Sequence, residues 1–371
     1  MQSLREKFLL AAGPGQFAGV TAGDWLSILR DNGFRVDPRY LPRVALISLN
    51  SLNNSVIRRY EELAYGTKVR SVRVLPPIFI LGHWRSGTTH LHNLFTIDPR
   101  VAYPNLFQVV FPLTFLSTEP IAGRFLSPLI PEKRLGDNVR QHLAMAAEDE
   151  FALCAATSLS PYMSSSFPRR QEFYDRYLTL RDVPDEEVAR WKSALLLFLQ
   201  KLTWKHQRPI VLKSPTHTCR IRLLLELFPD ARFIHIHRNP YAVFVSNRGR
   251  HDTAVGYSRL QRSSTTDDEM FIQRYREMYD VFFAERELIP PSQYHELAFE
   301  DLEKDPVGQL REIYARLGLP EFAAIENSLA GSTRAQAEYK KNQYVDIAPS
   351  LRSRIGSAWR RSFEEWGYAL T

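Results

Sequence analysis

The chain has 371 residues, of which 44 % are apolar and 24 % are charged, and its formal net charge is +7. This length and composition exclude a disordered, collagen-like or coiled-coil protein and predict two domains or one large, elaborated domain. Only two cysteines are present, so a disulfide scaffold is excluded and a reducing compartment, the cytoplasm, is expected.

The first 72 residues are predicted to form a helical N-terminal extension, because apolar residues recur at spacings of three and four. No run approaches the roughly 18 apolar residues that span a bilayer, and the apolar stretch 8–12 is too short for a signal peptide. Residues 40–57 are compatible with peripheral membrane contact, but Arg43 and the polar run 50–55 favour packing onto the protein.

Three short apolar runs predict strands buried on both faces: 76–82, 209–213 and 232–237. Helical patterns follow at 87–96 and 217–228, and Pro240 is placed to open a further helix. A strand, helix, strand succession predicts a parallel sheet. Beyond it, amphipathic helices are predicted at 270–288 and 307–317, on either side of an edge strand at 294–299. The sequence therefore predicts one α/β domain over residues 73–371, a parallel sheet flanked by helices.

Residues 101–203 are too numerous for a plain connection, so we predict an insertion over the sheet edge that builds a ligand pocket. Its second half has helical patterns near 137–156 and 186–206. Aromatic residues recur through the insertion: Phe107, Phe111, Phe115, Tyr162 and Phe167. They favour a hydrophobic ligand, although aromatic residues in such a segment also serve as ordinary core.

The segment GHWRSGTT, which begins at Gly82, follows the first predicted strand directly. It fits the phosphate-loop pattern G-x-x-x-x-G-K-[ST] except that Thr88 replaces the lysine. The glycines and the following helix N-terminus predict a loop that wraps a phosphate, with Arg85 as the cation inside it. This favours a nucleotide with a short, differently terminated phosphate chain over magnesium ATP. The alternative is a strand-to-helix turn without a ligand.

Positive charge is concentrated in residues 205–262, which contain 11 lysines and arginines but only three acidic residues. Such a concentration predicts an anionic ligand near this segment. A nucleic-acid surface would look similar. We rank it lower because these charges alternate with predicted core strands, and we expect no nucleic-acid partner.

Two motifs resemble those of sulfotransferases that use 3′-phosphoadenosine-5′-phosphosulfate. The segment RSGTT resembles their 5′-phosphosulfate loop, and RNP with a serine eight residues after the arginine resembles their 3′-phosphate signature. The resemblance covers residues 76–319, is strongest to the bacterial branch, and implies the P-loop α/β fold. It also implies a set of donor-binding residues: Arg85, Ser86, Gly87, Thr88, Thr89, Arg238 and Ser246.

Sulfuryl transfer spreads negative charge over peripheral oxygens, so fixed cations are expected to do much of the catalysis. Arg85 is expected to stabilise the leaving oxygen. Lys213, which ends the second strand, resembles a family lysine near the transferred group. Lys340, in the segment YKKN, weakly resembles a basic loop that closes over the 3′-phosphate, or is a solvated charge. We expect no metal, because neither cysteine nor acidic ligands accompany the loop histidines.

The candidates for the general base depart from the family pattern. Relatives place a glutamate some 20 residues past the loop, but residues 103–111 here contain neither a carboxylate nor a histidine. Glu148 and Glu150 are the candidate catalytic carboxylates, with Glu150 ahead because apolar residues follow it. The alternative is a solvated acidic helix face. His217 is a weaker candidate.

The resemblance and the residues together predict a sulfotransferase. The expected acceptor is a hydroxyl group on a hydrophobic small molecule or lipid. A small-molecule kinase and a non-catalytic nucleotide-binding protein of the same fold are the alternatives. The sequence does not determine the oligomeric state.

Overall fold

The computed structural model describes residues 13–126, 142–248, 258–262, 268–336 and 347–370. They cluster into two units. The first comprises Met1–Val74, Pro104–Gln207 and His251–Thr265, and the second comprises Leu75–Tyr103, Arg208–Arg250 and Thr266–Thr371. All strands in the described ranges lie in the second unit.

The α-helices of the described residues are, in chain order, α1 (Ala22–Asp31), α2 (Leu41–Arg70), α3 (Thr88–Phe95), α4 (Leu106–Val110), α5 (Phe115–Leu126), α6 (Glu150–Thr157), α7 (Gln171–Asp175), α8 (Asp185–His206), α9 (Ile221–Leu227), α10 (Pro240–Arg248), α11 (Asp268–Glu285), α12 (Phe299–Lys304), α13 (Pro306–Arg316), α14 (Ala323–Gln336), α15 (Pro349–Ala358) and α16 (Arg360–Glu365). The strands are β1 (Ile78–Leu81), β2 (Val211–Lys213), β3 (Arg232–His237) and β4 (Tyr294–Ala298).

The sheet of the second unit has the order β2-β1-β3-β4, and every pair is parallel. In its register, Ile80 of β1 lies beside Lys213 of β2 and Ile234 of β3. The α/β fold class and the edge position of β4 are confirmed. Because parallel strands end at the same edge, the segments that follow β2, β1 and β3 lie side by side.

β1 is buried on both faces, as its unbroken apolar run predicts. Alternate side chains of a strand point to opposite faces. Ile78 and Ile80 join a hydrophobic cluster with residues of α3 and α13, while Phe79 stacks on Phe233 with ring centroids 5.6 Å apart. Every residue of β1 is buried, so the strand that precedes the glycine loop is held from both sides.

In the first unit, the predicted N-terminal helices correspond to α1 and α2. The Trp25 indole donates to Ser48 Oγ at 2.9 Å and the Ala22 amide donates to Ser55 Oγ at 2.9 Å, which joins α1 to α2. In the described part of the chain, none of the helices combines the length and the apolar content that a bilayer crossing requires.

One predicted helix is shorter than expected. The pattern near 137–156 predicted helical structure, but α6 begins at Glu150 and residues 142–149 are not helical; residues 137–141 lie outside the described residues. Their backbone bonds to another segment instead: the Leu106 amide donates to the Met145 carbonyl and the Ala147 amide donates to the Pro104 carbonyl, both at 2.9 Å. Pairing with residues distant in sequence replaced the local helical bonds.

Candidate active site

The glycine loop joins β1 to α3 and adopts left-handed backbone conformations at three points. Gly82 has φ 142°, Arg85 has φ 73° and Gly87 has φ 103°. Gly87 directly precedes α3, and no side chain caps the first amides of this helix. These amide donors point to one end of the helix, where the helix dipole also favours negative charge. The loop therefore has the backbone arrangement of a phosphate site.

Neither loop glycine leaves room for a side chain. A Cβ atom on Gly82 would lie 2.5 Å from the Ile236 carbonyl oxygen, and one on Gly87 would lie 2.3 Å from Cδ2 of Phe299. Together with their backbone conformations, these contacts explain why glycine occupies both positions.

Replacing Gly87 with alanine should destabilise the folded protein. The variant would combine a strained left-handed backbone with a methyl group against the Phe299 ring, so we expect the free energy of unfolding to fall by about 1–3 kcal/mol. Urea unfolding measures it. Gly331→Ala is the matched control, since Gly331 lies in α14 with open space around it; it should be neutral or slightly stabilising. Equal stability of the two variants would contradict the assigned loop geometry.

Side chains from other elements hold the loop. Thr218, in the 3₁₀ turn Pro215–Cys219 after β2, accepts a hydrogen bond from the Gly82 amide at 2.7 Å. Tyr279 of α11 accepts one from the His83 amide at 3.3 Å, and Asn247 of α10 donates to the Trp84 carbonyl at 3.1 Å. Sequence reasoning missed these three residues. Of the three, only Thr218 could have been found from the sequence, because its hydroxyl group follows shortly after a predicted strand.

The two predicted motifs meet at Arg85. Its Nε donates to Ser246 Oγ at 2.8 Å, and Nη1 of Arg238 donates to the Arg85 carbonyl at 3.2 Å. The Arg238 guanidinium also lies over the Phe299 ring, 4.3 Å from its centroid. Arg85 and Arg238 are 153 residues apart in the chain. The fold therefore brings two guanidinium groups and a hydroxyl to one side of the glycine loop.

Lys213 lies at the other side of the loop. It ends β2, it is only 3 % exposed, and its Nζ donates to Thr89 Oγ1 at 3.2 Å. In the strand order, β1 lies between β2 and β3. Lys213 and Arg238 therefore follow the two strands that flank the loop, with cations on both sides of it.

The remaining loop hydroxyls are those of Ser86 and Thr88, both buried. Ser86 Oγ donates to the His83 carbonyl at 2.8 Å, which closes the loop on itself. Its oxygen can still accept a hydrogen bond. Thr88 opens α3, where the phosphate-loop pattern has lysine.

Burial disfavours the charged form of two loop histidines, His83 and His90. Burial lowers the pKa of His83 to about 4, and burial likewise lowers the pKa of His90. His92 is buried, with its ring edge-on to Tyr103 at 6.1 Å. Among the described residues, no group of three His, Cys, Asp or Glu side chains is arranged to hold a metal ion. The fixed positive charges beside the loop are those of Arg85, Arg238 and Lys213.

The predicted base candidates lie in the first unit, whereas the loop and its cations lie in the second. Glu150 is fully buried and accepts a hydrogen bond from Ser160 Oγ at 2.6 Å. Glu148 accepts one from the Tyr162 hydroxyl. His217 is buried in the second unit with its ring edge-on to Phe79 at 5.2 Å. Lys340 lies outside the described residues.

Comparisons with known proteins agree with this geometry. A sequence model described as the sulfotransferase family matches residues 76–324. Omega-hydroxy-beta-dihydromenaquinone-9 sulfotransferase Stf3 from Mycobacterium bovis is 34 % identical over 354 residues, which are 95 % of this chain and 91 % of that protein.

Two crystal structures share the fold. Sulfotransferase STF9 from Mycobacterium avium superposes with a TM-score of 0.64 at 17 % identity, covering 94 % of this chain and 97 % of that one. Sulfotransferase STF1 from Mycobacterium tuberculosis gives 0.63 at 18 % identity, covering 91 % and 92 %. At these identities the likeness concerns the fold.

Proposed function

This chain belongs to the sulfotransferase family and is a sulfotransferase, and we propose that it takes its sulfuryl group from 3′-phosphoadenosine-5′-phosphosulfate and places it on a hydroxyl group of a hydrophobic acceptor. The observation that carries the proposal is the meeting of Arg85, Ser246 and Arg238 beside a glycine loop without the usual lysine.

The donor is proposed to lie across this loop. The first amides of α3, with Ser86, Thr88 and Thr89, would hold the 5′-phosphosulfate, because a helix N-terminus and its neighbouring hydroxyls supply hydrogen-bond donors to an anion. Arg238 and Ser246 would hold the 3′-phosphate, since a guanidinium binds a phosphate through two parallel hydrogen bonds. Two cationic side chains in one small region repel each other, and an anion bound between them offsets that repulsion.

In the proposed reaction the acceptor oxygen attacks sulfur as the bond from sulfur to the bridging phosphate oxygen breaks. The acceptor proton passes to a base, and adenosine 3′,5′-bisphosphate leaves. Arg85 would stabilise the bridging oxygen, and Lys213 would stabilise the peripheral oxygens of the transferred group. Glu150 and Glu148 remain our candidates for the base, and Lys340 remains a candidate for the 3′-phosphate.

A hydrophobic acceptor is supported by the relative Stf3, whose name gives a hydroxylated menaquinone derivative as its substrate. The aromatic residues that suggested such an acceptor are divided in the structure: Phe107, Phe115 and Phe167 are buried in the first unit, and Phe111 and Tyr162 are half-buried. The half-buried pair is the better candidate for acceptor contact, because fully buried rings serve the core. We place the protein in the cytoplasm on the strength of its two buried, free cysteines.

The proposal is tested with ³⁵S-labelled donor and three acceptors: a polyprenyl alcohol, a phenol and a hexose. We expect label on the alcohol or the phenol, and little on the hexose. Arg85→Asn should abolish most of the transfer, since asparagine tolerates the left-handed backbone but lacks the cation. Arg248→Ala is the control, because Arg248 is exposed on α10, the helix that carries Ser246. Phosphoryl transfer from magnesium ATP, or tight bisphosphate binding without turnover of any acceptor, would overturn the proposal.

A further inference from the structure

The long helix α2 of the first unit exposes an apolar stripe. We define the α2 outer face by six residues: Leu41, Leu49, Leu52, Val56, Tyr60 and Leu63. Their exposed fractions range from 55 to 72 %. The last five follow one another at spacings of three and four, which places them on one side of a helix. From first to last the stripe is about 33 Å long at 1.5 Å per residue.

The opposite face of α2 buries several polar side chains beside Ile47 and Val69. Arg43 Nη1 donates to the Arg259 carbonyl at 2.5 Å, and Asn54 Nδ2 donates to the carbonyls of Ala18 and Val20 at 2.8 and 2.9 Å. Glu61 pairs with Lys201 at 2.5 Å. In a water-exposed helix of a globular protein, apolar side chains face the core and polar ones face solvent. Because α2 buries these polar groups and exposes an apolar stripe, its outer leucines are not explained by packing within the unit.

Cations accompany the α2 outer face. Arg39 precedes the helix, Arg59 lies beside the stripe between Val56 and Leu63, and Lys68 follows it; all three are exposed. Within the described residues the structure gives none of them an ion pair. The exposed carboxylate of α2, Glu62, is paired with Arg70. The surface thus combines apolar residues with net positive charge, as amphipathic helices do that lie in the headgroup region of an anionic membrane.

We propose that the α2 outer face docks on an anionic lipid bilayer, with its apolar side chains among the upper acyl chains and its cations at lipid phosphates. A stripe about 33 Å by 10 Å offers roughly 330 Å², well below the about 800 Å² per partner of a stable protein interface. A bilayer does not need a complementary partner surface. If the acceptor is a lipid, docking would give access to it. This access rests on the proposed function, whereas the docking itself does not.

The test is co-sedimentation of the full chain with phosphatidylcholine vesicles, with and without phosphatidylglycerol, in the absence of donor and acceptor. We expect binding to the anionic vesicles. The double variant Leu52→Glu/Val56→Glu should lose about tenfold or more of its partition coefficient, and Arg59→Gln should lose about fivefold. Leu288→Glu, at an exposed leucine of the other unit, should bind like the unmodified chain. The substituted residues of the double variant are more than half exposed, so its melting temperature should not change.

Three outcomes would overturn the proposal: no sedimentation of the unmodified chain with anionic vesicles, equal binding by the double variant, or a dimer in ultracentrifugation that the double variant abolishes while vesicle binding is absent. Turnover of a water-soluble phenol by the double variant is measured in parallel and should equal that of the unmodified chain. A chain that bound vesicles but sulfated nothing would refute the proposed function and leave the docking surface standing.

Discussion

Replacing Lys213 with methionine should lower kcat by about 10²–10³-fold and leave the affinity for adenosine 3′,5′-bisphosphate nearly unchanged. The ammonium group lies 3.2 Å from Thr89 Oγ1 at the mouth of the glycine loop, where we place the transferred group. The bisphosphate lacks that group, so its binding should not depend on Lys213. Methionine matches the length of the side chain and suits a position that is 3 % exposed, so folding should survive.

Steady-state kinetics and calorimetry separate the two effects. Lys304→Met, at an exposed position of α12, is the matched control and should change neither quantity. If kcat of the Lys213 variant were unchanged, Lys213 would not act on the reaction. If bisphosphate affinity fell in step with kcat, Lys213 would be a donor-binding residue and the catalytic role would be wrong.

Replacing Arg238 with glutamine should remove the preference for a nucleotide that carries a 3′-phosphate. Arg238 is half-buried, and loss of a charge-assisted hydrogen bond costs about 1.5–3 kcal/mol, so we expect affinity for adenosine 3′,5′-bisphosphate to fall by about 10–100-fold. Affinity for adenosine 5′-monophosphate should change little, because that nucleotide makes no such contact. Calorimetric titration with both nucleotides, for both proteins, measures the difference.

Arg232 provides the control for this experiment. It begins β3, whereas Arg238 directly follows the carboxyl end of the same strand, so Arg232→Gln removes an equal charge at the opposite edge of the sheet. The control should keep the preference for the bisphosphate. Equal weakening of both nucleotides by Arg238→Gln would mean that Arg238 supports the loop, through its bond to the Arg85 carbonyl, and does not read the 3′-phosphate.

Much of the fold could be predicted because its strands are short segments rich in apolar residues, and β1 is apolar throughout. The runs 209–213 and 232–237 contain β2 and β3, and the glycine loop follows β1 as its pattern indicated. The helix prediction failed over 142–149, because the backbone of this segment bonds to residues 104–106 instead of forming helical hydrogen bonds. Local periodicity does not contain that information, because the competing segment lies about 40 residues away.

The candidate site was predicted only in part. Motifs identified Arg85 and Arg238 because spacing between neighbouring residues is enough to recognise each of them. The supports of the loop, Thr218, Tyr279 and Asn247, come from three other elements, and of these only Thr218, which follows a predicted strand, carried a local signal. The base stays a prediction, since Glu148 and Glu150 lie in the other unit from the loop.

Three features follow from the sequence alone, because each depends on residues adjacent in the chain: the parallel sheet, the glycine loop after β1, and Thr88 at the position where the phosphate-loop pattern has lysine. Only the tertiary structure decided that Arg85 meets Ser246 and Arg238, and that α2 buries Arg43 and Glu61 while exposing most of its leucines. Which face of a helix is buried, and which distant side chains meet, depends on what packs against them. That packing is a property of the whole chain.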